Sequence, residues 1–432
     1  MSQLTIIILA AGQSSRMKSD TSKVLHDLAG WSVLRHVIET ARRLNPHYMA
    51  LVTSPNADPI IKEGKACYEN IQHVIQHKAL GTGDAVKSAL QHMPQHDGTL
   101  LVLYGDSPLT HIATLQRLLE KAQQCDVALT AMQPQDPAQY GRIICDESGY
   151  VDAIVEYKDA TQQQRSIDLC NAGLMAINAK EAPQLISLID NNNAKDEYYL
   201  TDIVKIANRQ GKKCGYIIAD EEEMLGINKR AELAQAYHIM QQRLRLRALD
   251  AGVGLVAPET VMMSMDTSFG YDIIVEPHVV FGSKVHVGDY SVVKSFSHLE
   301  GATIGAHVHI GPYARLRPGA ELKDHSAIGN FVEVKNVTLH EGAKAGHLSY
   351  LGDADIGEKT NIGAGTITCN YDGTNKHKTI IGSNVFVGSD AAMVAPVTIN
   401  DDALIAAGSV ITQDVPKGAT AFGRSRQVNK KP

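Results

Sequence analysis

In the stretch IGEKTNIGAGTIT, residues 356–368, the pair Ile-Gly occurs at 356–357 and again six positions later at 362–363. A six-residue period is the signature of a parallel β-helix, in which each hexapeptide makes one short strand and one corner. The aliphatic side chains stack inward, coil upon coil, and the small residue lets the chain turn tightly. The period runs from 275 to about 416 through the pairs Val287-Gly288, Ile304-Gly305, Ile310-Gly311, Ile328-Gly329, Ile381-Gly382, Val387-Gly388 and Ile405-Ala406. The sequence therefore predicts a rod of stacked coils.

The composition is that of an ordinary globular protein with small-molecule partners. A chain of 432 residues is too long for one core and predicts two or three domains. Its 44% hydrophobic and 20% charged residues are usual values. The formal net charge of −6 argues against a protein that binds the phosphate backbone of nucleic acids, which usually carries a basic excess.

Cysteine usage and the amino-terminal segment predict a cytoplasmic protein. The cysteines at 67, 125, 145, 170, 214 and 369 contain no Cys-x-x-Cys pair, which favours reduced thiols over a zinc site or a disulfide framework. The apolar run 4–11 is too short to span a bilayer and lacks the flanks of a secretory signal. We therefore expect neither a signal nor a membrane partner.

Residues 1–222 alternate strand-like and helical patterns, which predicts a mostly parallel sheet covered by helices. The candidate strands are 4–10, 48–53, 72–75, 99–104, 127–131, 142–145, 173–177 and 214–218, and helical stretches include 33–44, 83–91 and 112–124. A helical pattern at 228–250 predicts a connecting helix. We expect a first domain at 1–222, a linker helix at 223–251 and the rod at 252–432.

A phosphate-binding turn is predicted after the first strand. Gly12 and its neighbours offer backbone N–H groups, and Arg16 and Lys23 add positive charge beside them. Neither Gly-x-x-x-x-Gly-Lys-Ser/Thr nor Gly-x-Gly-x-x-Gly is present. Asp106 ends another strand, at the edge where α/β folds bind ligands, and its carboxylate is a candidate Mg²⁺ ligand.

These motifs resemble the sugar-1-phosphate nucleotidyltransferases. Over nearly the whole chain the resemblance is to the bifunctional bacterial N-acetylglucosamine-1-phosphate uridyltransferase and glucosamine-1-phosphate acetyltransferase family. It is carried by Leu9-Ala10-Ala11-Gly12, Arg16-Met17, Lys23-Val24-Leu25, Gln76, Gly81-Thr82-Gly83, Tyr104-Gly105-Asp106, Tyr140-Gly141-Arg142, Glu156, Asn171-Ala172-Gly173, Glu197-Tyr198-Tyr199-Leu200-Thr201-Asp202 and Gly226-Ile227-Asn228. The implied fold is an α/β nucleotidyltransferase domain, Rossmann-like with a mixed and mostly parallel sheet, followed by a left-handed parallel β-helix of hexapeptide repeats.

The resemblance also implies two reactions and their site residues. Acetyl-CoA would acetylate glucosamine 1-phosphate, and UTP would then transfer UMP to the product with release of pyrophosphate. Arg16 and Lys23 would stabilise the phosphates, and Asp106 and Asn228 would coordinate Mg²⁺. The nucleotide and its sugar would be held by Leu9, Ala11, Gly12, Lys23, Gln76, Gly81, Thr82, Tyr104, Asp106, Gly141, Glu156, Asn171 and Asn228.

Two departures from the family pattern concern the phosphate turn. Ser14-Ser15 stands where members commonly have Gly-Thr, and Ser22 stands where they have proline. Serine still offers a backbone N–H and a hydroxyl. A turn that needs positive φ at Ser14 would be restricted by the loss of glycine.

Polar residues on the rod predict a second site. Arg317 and Lys335 lie about one coil apart and should converge, which favours an anion between them. His347 is a candidate general base, because the ordinary pKa of histidine, about 6.5, suits that role. Residues 369–378 break the six-residue period and should loop out of the rod.

For this second site too, the resemblance assigns roles. His347 would take the proton from the amine of glucosamine 1-phosphate. Arg317, Lys335, Tyr350 and Asn361 would hold the sugar phosphate, with Glu333 nearby. Acetyl-CoA would be bound by Ala364, Asn370, Tyr371, Ser389, Ala407 and Arg424. Because the out-looping segment crosses a subunit boundary in this family, a homotrimer is implied.

Two alternatives remain open for the rod. It could be a trimerisation module only, with uridyl transfer as the single activity. It could also be a metalloenzyme of the γ-carbonic anhydrase type, for which His307-Val308-His309 is the one close histidine pair in the sequence.

Overall fold

The computed structural model describes residues 3–12, 14–94, 97–137, 140–193 and 195–430. The chain forms two compact units, Met1–Met240 and Gln241–Pro432. The boundary between them falls within one long helix, Arg230–Asp250, which confirms the helix predicted at 228–250.

The helices of the described chain are numbered in chain order. They are α1 Val33–Arg42, α2 Asp58–Cys67, α3 Thr82–Leu90, α4 Ile112–Ala122, α5 Gln162–Arg165, α6 Ala182–Ser187, α7 Asp202–Arg209 and α8 Arg230–Asp250. Short 3-10 turns occur at Ser15–Met17, Lys23–Leu25, Glu221–Met224 and Pro258–Thr260. Ser32 caps α1 by accepting a hydrogen bond from the backbone N–H of Arg35, which explains why that helix begins at Val33.

The first unit is built on a nine-stranded sheet whose main path runs β11-β7-β10-β6-β1-β4-β5. The strands of this unit are β1 Leu4–Leu9, β2 Asp27–Leu28, β3 Trp31–Ser32, β4 Tyr48–Thr53, β5 Gln72–Ile75, β6 Thr99–Tyr104, β7 Val127–Met132, β8 Arg142–Cys145, β9 Val151–Val155, β10 Cys170–Asn178 and β11 Cys214–Ile218. Strand β10 runs antiparallel to β6 and β7, and the β8–β9 pair is antiparallel, so the mixed, mostly parallel sheet is confirmed.

Alternating side chains of the sheet pack into two hydrophobic cores, one on each face of the sheet. Ile7 of β1 packs in the cluster that includes residues of α3, α6 and α7. Ile6 and Ile8 pack in the cluster that includes residues of α1 and α4. Because successive side chains of a strand point to opposite faces, a fully buried strand such as β1 is apolar throughout.

The second unit is the predicted parallel β-helix. Its strands are β12 Gly254–Leu255, β13 Ser268–Phe269, β14 Ile274–Val275, β15 Val280–Phe281, β16 His286–Val287, β17 Val292–Val293, β18 His298–Leu299, β19 Ala302–Ile304, β20 His309–Ile310, β21 Arg315–Leu316, β22 Ala320–Leu322, β23 Ala327–Asn330, β24 Glu333–Leu339, β25 Lys344–His347, β26 Tyr350–Ile356, β27 Asn361–Ile362, β28 Ile367–Cys369, β29 Thr379–Ile381, β30 Phe386–Val387, β31 Ala392–Val394, β32 Val397–Ile399, β33 Leu404–Ile405, β34 Val410–Ile411 and β35 Thr420–Ala421. All their strand-to-strand pairings are parallel, and β24 and β26 turn a corner and belong to two neighbouring ladders. The left-handed β-helix fold class is confirmed.

Side chains at the corners of the rod stack on one another. Phe296, Tyr313 and Phe331 occupy left-handed backbone with φ of 61°, 56° and 57°. Their rings stack at 4.9 Å and 5.2 Å between centroids. A left-handed residue costs roughly 1–2 kcal/mol, and an aromatic pair contributes about 0.5–1.5 kcal/mol beyond its burial, so the stacking offsets a large part of the corner's strain.

The out-looping segment 369–378 is also confirmed. Asn361 pairs with Phe386 in the next coil, so this coil is longer than its neighbours by the length of the excursion. The loop closes on itself, because Asp372 accepts hydrogen bonds from the backbone N–H groups of Thr374 and Asn375 and pairs with His377 at 2.7 Å. These bonds hold the pKa of Asp372 far below its usual range.

We expect Gly329→Ala to lower the thermal unfolding midpoint of the rod. A Cβ at Gly329 would stand 1.8 Å from the carbonyl oxygen of Gly346 in the next coil, and rigid backbone cannot yield without separating the coils. Overpacking of this kind costs about 1–3 kcal/mol. Gly346→Ala is the matched control, since a Cβ there meets nothing within 4 Å. Circular dichroism on both variants tests the prediction, and equal midpoints would contradict it.

Candidate functional site

A cleft of about 650 Å³ opens in the first unit at the carboxyl ends of β1 and β6. This is the edge at which open α/β sheets bind ligands. The sequence-predicted residues that line it are Leu9, Ala11, Gly12, Lys23, Gln76, Gly81, Thr82, Tyr104, Asp106, Glu156 and Asn171. Residues that are distant in the sequence therefore meet in one cavity, large enough for a nucleotide sugar.

One corner of the cleft gathers cations and oxygen ligands. The ammonium of Lys23 donates hydrogen bonds to Asp106 Oδ2 and, at 2.7 Å, to Asn228 Oδ1. Arg16 Nη2 donates to the same Asn228 oxygen at 3.0 Å. The structure thus brings Arg16, Lys23, Asp106 and Asn228 together, although Arg16 and Asn228 do not line the cleft itself.

This corner fits a divalent cation. Asp106 and Asn228 both direct an oxygen at one positive group, the Lys23 ammonium, which stands in for the charge that a metal would bring. Mg²⁺ prefers oxygen ligands and takes one or two from the protein while substrate phosphates supply others. Among the described residues there is no group of three or more His, Cys, Asp and Glu that could hold a metal. The donor set therefore suits a metal shared with substrate phosphates rather than one enclosed by protein.

The serines of the phosphate turn bond to each other and to the backbone. The hydroxyls of Ser14 and Ser22 lie 3.4 Å apart, and Ser14 Oγ accepts a hydrogen bond from the backbone N–H of Lys23 at 2.9 Å. The backbone of Ser14 has φ of −94°, which any residue adopts. The turn therefore forms without glycine at this position, and Ser14 fixes the backbone from which the Lys23 side chain reaches Asp106.

At Gly81 the backbone requires glycine. Its φ is +111°, and a Cβ there would stand 2.6 Å from the carbonyl oxygen of Tyr198. The next residue, Thr82, accepts a hydrogen bond from the backbone N–H of Leu200 at 3.1 Å. Gly81 and Thr82 are thereby held against the segment that follows residue 195, and this contact forms one wall of the cleft.

Three further predicted residues, Gly141, Glu156 and Asn171, lie close together. The backbone N–H of Asn171 donates to the carbonyl of Gly141 at 2.8 Å. Gly141 lies beside Glu156, because a Cβ at Gly141 would stand 3.5 Å from Glu156 Oε1, but Gly141 does not itself line the cleft. Burial raises the pKa of Glu156, and the hydrogen bond from the Thr201 hydroxyl opposes that shift.

Four polar lining residues received no role from the sequence: Lys195, Glu197, Tyr199 and Thr201. The other unassigned lining residues are the apolar Ala10, Val24, Ala79 and Ala85. Most of the polar residues lie in the motif 197–202, which signals a site, but the segment has no periodicity that could say which side chains face inward. Long-range contacts orient the segment: Thr82 accepts from Leu200, and the Thr201 hydroxyl donates to Glu156.

A groove of about 470 Å³ runs along successive coils of the rod in the second unit. It holds the sequence-predicted residues His347, Asn361, Ala364, Ser389 and Ala407. Its floor is made of small residues such as Gly363 and Gly388, whose coils approach too closely for a Cβ. The six-residue repeat thus produces an open groove beside one imidazole.

Asn330 orients the imidazole of His347, and sequence reasoning missed it. His347 Nδ1 lies 2.9 Å from Asn330 Oδ1, and the two residues pair in adjacent strands β23 and β25. An amide oxygen only accepts hydrogen bonds, so in the neutral imidazole Nδ1 carries the proton and Nε2 keeps a lone pair. Counting back one coil from His347 in the sequence would have found Asn330.

The predicted cations converge on a neighbouring ladder. Arg317 donates to Val334 through its backbone and to Glu333 Oε1 at 2.7 Å through its side chain. The Lys376 ammonium, and after it the Arg317 guanidinium, lowers the pKa of Lys335. Lys376, in the out-looping segment, is a further residue that the sequence reasoning did not assign. Three cations in one place favour an anionic ligand.

The two groups of residues on the rod do not share one groove within this chain. Tyr350 and Asn370 approach Gly352, close to Lys335 in register, whereas His347 lies on the ladder of β23 and β25. Leu348, with φ of 53°, forms the corner between them. Tyr371, Asn370, Arg424 and the cations lie outside the His347 groove.

The metalloenzyme alternative finds no support in the described residues. His307 stacks on His325 at 4.9 Å in a corner column, and His309 lies in strand β20. No cluster of three potential metal ligands occurs there or elsewhere in the part of the chain that the structure describes. As to membranes, none of the described helices combines the length and apolar content that a crossing requires.

Comparison with known proteins finds matches in both units. Residues 6–169 match the MobA-like NTP transferase domain, and residues 301–336 and 378–413 match the bacterial transferase hexapeptide family of six repeats. The chain is 47% identical to the "Bifunctional protein GlmU" of Zymomonas mobilis subsp. mobilis, over 98% of this chain and 95% of that protein. It is 48% identical to the protein of the same name from Paramagnetospirillum magneticum, over 100% of this chain and 95% of the relative. With two such units in one chain and identity at this level across both, the chain belongs to the bifunctional GlmU family.

Proposed function

We propose that the chain carries out two consecutive steps in the synthesis of UDP-N-acetylglucosamine. It transfers acetyl from acetyl-CoA to glucosamine 1-phosphate, and then UMP from UTP to N-acetylglucosamine 1-phosphate with release of pyrophosphate. The observation that carries the proposal is the presence of both chemistries in one chain: a cleft with a Lys23–Asp106–Asn228 corner and a groove with an oriented His347. Residues 1–222 would hold the uridyltransferase, 223–251 the linker and 252–432 the acetyltransferase.

Uridyl transfer is a substitution at phosphorus. A phosphate oxygen of the sugar phosphate forms a bond to the α-phosphorus of UTP, the bond to the β-phosphate oxygen breaks, and pyrophosphate leaves. A phosphate monoester is already largely ionised at neutral pH, so no general base is needed. Catalysis then consists of positioning and charge neutralisation, for which Arg16 and Lys23 stand at the corner of the cleft.

Substrate contacts can be proposed for the residues gathered at the cleft. Leu9, Ala11 and Gly12 would hold the nucleotide beside the phosphate turn, while Gln76, Gly81 and Thr82 would contact the uracil. Tyr104 lines the floor, and burial raises the pKa of its hydroxyl, which therefore stays protonated and able to donate. Gly141, Glu156 and Asn171 would bind the acetylated sugar.

Mg²⁺ is the metal that this corner would take. Asp106 and Asn228 would hold it, and when bound it would neutralise charge on the phosphates. The Lys23 ammonium would then move from these two oxygens toward the phosphates, a short step for a flexible side chain.

We expect Asp106→Asn to lower pyrophosphate release by about 10- to 100-fold and to raise the Mg²⁺ concentration needed for half activity. The amide keeps one oxygen ligand but loses the negative charge, so the metal is held less tightly. Pyrophosphate release from UTP and N-acetylglucosamine 1-phosphate, titrated with MgCl₂ after EDTA treatment, measures this effect. Acetyl transfer by the same sample is the internal control. Wild-type turnover that resists EDTA would contradict the metal assignment.

Acetyl transfer is an aminolysis of a thioester. The amine nitrogen of glucosamine 1-phosphate forms a bond to the thioester carbonyl carbon, His347 Nε2 takes the amine proton, and the thiolate of coenzyme A leaves. Asn330 holds the imidazole with that nitrogen free. Arg317, Lys335, Tyr350 and Asn361 would bind the sugar phosphate, and Ala364, Ser389 and Ala407 would line the path of acetyl-CoA.

A homotrimer would complete this second site. Tyr371 is 60% exposed, and Asn370, Tyr371 and Arg424 lie outside the groove of their own chain. A second copy whose out-looping segment met the groove would place the exposed Tyr371 against acetyl-CoA, and hexapeptide rods offer flat faces for such pairing. All six cysteines are free thiols, which suits the cytoplasm as the compartment.

The decisive experiment measures both products from one preparation. Protein is incubated with glucosamine 1-phosphate, acetyl-CoA and a thiol reporter, and separately with UTP, Mg²⁺ and N-acetylglucosamine 1-phosphate. We expect thiol release in the first reaction and pyrophosphate in the second. Pyrophosphate without thiol release would show that the rod serves assembly only.

A further inference from the structure

The Gln76 side chain is held in one orientation by two partners. It lines the cleft with only 5% of its surface exposed. Its Nε2 donates to the carbonyl oxygen of Gly81 at 3.0 Å and to Asp84 Oδ2 at 2.8 Å. Asp84 lies in the first turn of α3, directly after the Gly81 turn.

The chemistry of these partners decides which way the amide points. A backbone carbonyl and a carboxylate accept hydrogen bonds and donate none. Both must therefore face the nitrogen of the Gln76 amide, whose two hydrogens they use. The amide oxygen is left as the polar atom that Gln76 can offer to the cleft.

We infer that Asp84 is a positioning residue that sets the choice of nucleobase by fixing Gln76 as a hydrogen-bond acceptor. The inference rests on the proposed uridyl transfer. An acceptor in the cleft pairs with a base that carries an imide N–H, as uracil does at N3. Cytosine has a lone pair at N3, and two acceptors would face each other. A site built around one hydrogen bond rejects the analogue that cannot make it, because its buried polar group is left unpaired.

The hydrogen bond to the Gly81 carbonyl does not by itself fix the orientation of the Gln76 side-chain amide. With only the Gly81 carbonyl as partner, one amide hydrogen stays unpaired and the side chain can turn about its terminal bond, which is broad and roughly two-fold. The Asp84 carboxylate, through a charge-assisted bond, removes that freedom. The alternative role for Asp84 is a negative charge near the amino end of a helix, which many first-turn acids supply without touching a ligand.

The test compares UTP with CTP in the nucleotidyl reaction of the full chain. We expect Asp84→Ala to lower the ratio of kcat/KM for UTP to that for CTP by about tenfold, which corresponds to one hydrogen bond of about 1.4 kcal/mol. Asp58→Ala is the matched control, because Asp58 is also an acid in the first turn of a helix, α2, and its change should leave the ratio as in wild type. Asp84→Asn keeps an acceptor oxygen, so its preference for UTP over CTP should be closer to that of wild type than the preference of Asp84→Ala.

Equilibrium binding of UTP and CTP gives a second readout that needs no turnover. Binding should lose its preference for UTP in the alanine variant to the same extent. An unchanged ratio in Asp84→Ala, with UTP turnover still measurable, would overturn the inference and leave the proposed function standing. A wild-type protein without UTP turnover, while acetyl transfer shows that the chain is folded, would instead remove the proposed uridyl transfer and this inference together.

Discussion

His347→Ala is expected to lower acetyl transfer by about 10³- to 10⁴-fold, toward the upper end of what a general base contributes. The amine must lose a proton as it attacks the thioester, and His347 is the one imidazole that lines the groove among the residues described. Water could accept the proton in its place, but without the orientation that the hydrogen bond to Asn330 supplies. Thiol release from acetyl-CoA measures the loss.

Two controls separate this effect from damage to the rod. Pyrophosphate release by the same variant should equal that of wild type, because its cleft lies in the first unit. His309→Ala changes a histidine of the same ladder, in β20, that lies outside the groove, and should retain acetyl transfer. Thiol release that survives His347→Ala would remove this imidazole from the reaction.

The rate of acetyl transfer by Asn330→Ala should lie between those of His347→Ala and His309→Ala. His347 is still present, but its imidazole can turn and either nitrogen can carry the proton, so the loss should be nearer tenfold. Asn330→Asp distinguishes orientation from charge. A carboxylate at the same distance stabilises the protonated imidazole, so the acid limb of the pH profile should move to higher pH in that variant. A pH profile that does not shift would show that the side chain at position 330 does not influence His347 during the reaction.

The fold was predictable because its signals are local and repeated. The hexapeptide period marks one strand and one corner every six residues, and most strands of the first unit's sheet are apolar runs. Strand β9 and the β2–β3 hairpin escaped because they are short or only half buried. The antiparallel course of β10 could not be read either, since direction depends on long-range pairing with β6 and β7.

The residues of the two candidate sites likewise divide into those that the sequence could predict and those that it could not. Gly81 and Asp106 stand at ends of elements that the sequence makes visible, so their place in the cleft could be foreseen. Asn330 could have been found by counting one coil back from His347, but Lys376 lies in a loop outside the repeat, and nothing in its immediate sequence indicates its contact with Lys335. Tertiary contacts of single side chains need coordinates, whereas the scaffold that brings them close does not.

Arg16→Ala is expected to slow pyrophosphate release by roughly two to three powers of ten, the scale of losing one donor that stabilises developing charge. The guanidinium lies beside Asn228, 3.0 Å from its Oδ1, at the corner where the phosphates would enter. Its charge counts most in the transition state, where negative charge shifts onto the departing pyrophosphate, so kcat should fall more than KM rises. Initial rates over a range of UTP concentrations separate the two constants.

Conservative and distant changes sharpen this test. Arg16→Lys keeps the charge but not the planar pair of donors, and should recover part of the rate. Arg42→Ala removes an arginine whose side chain is 53% exposed and pairs with Glu39, and should leave uridyl transfer as in wild type. Arg16 and Lys23 share Asn228 Oδ1, so their variants should be non-additive: the double variant should lose less than the product of the single losses. Full activity in Arg16→Ala would remove Arg16 from charge neutralisation at the phosphates and would contradict the mechanism proposed for this cleft.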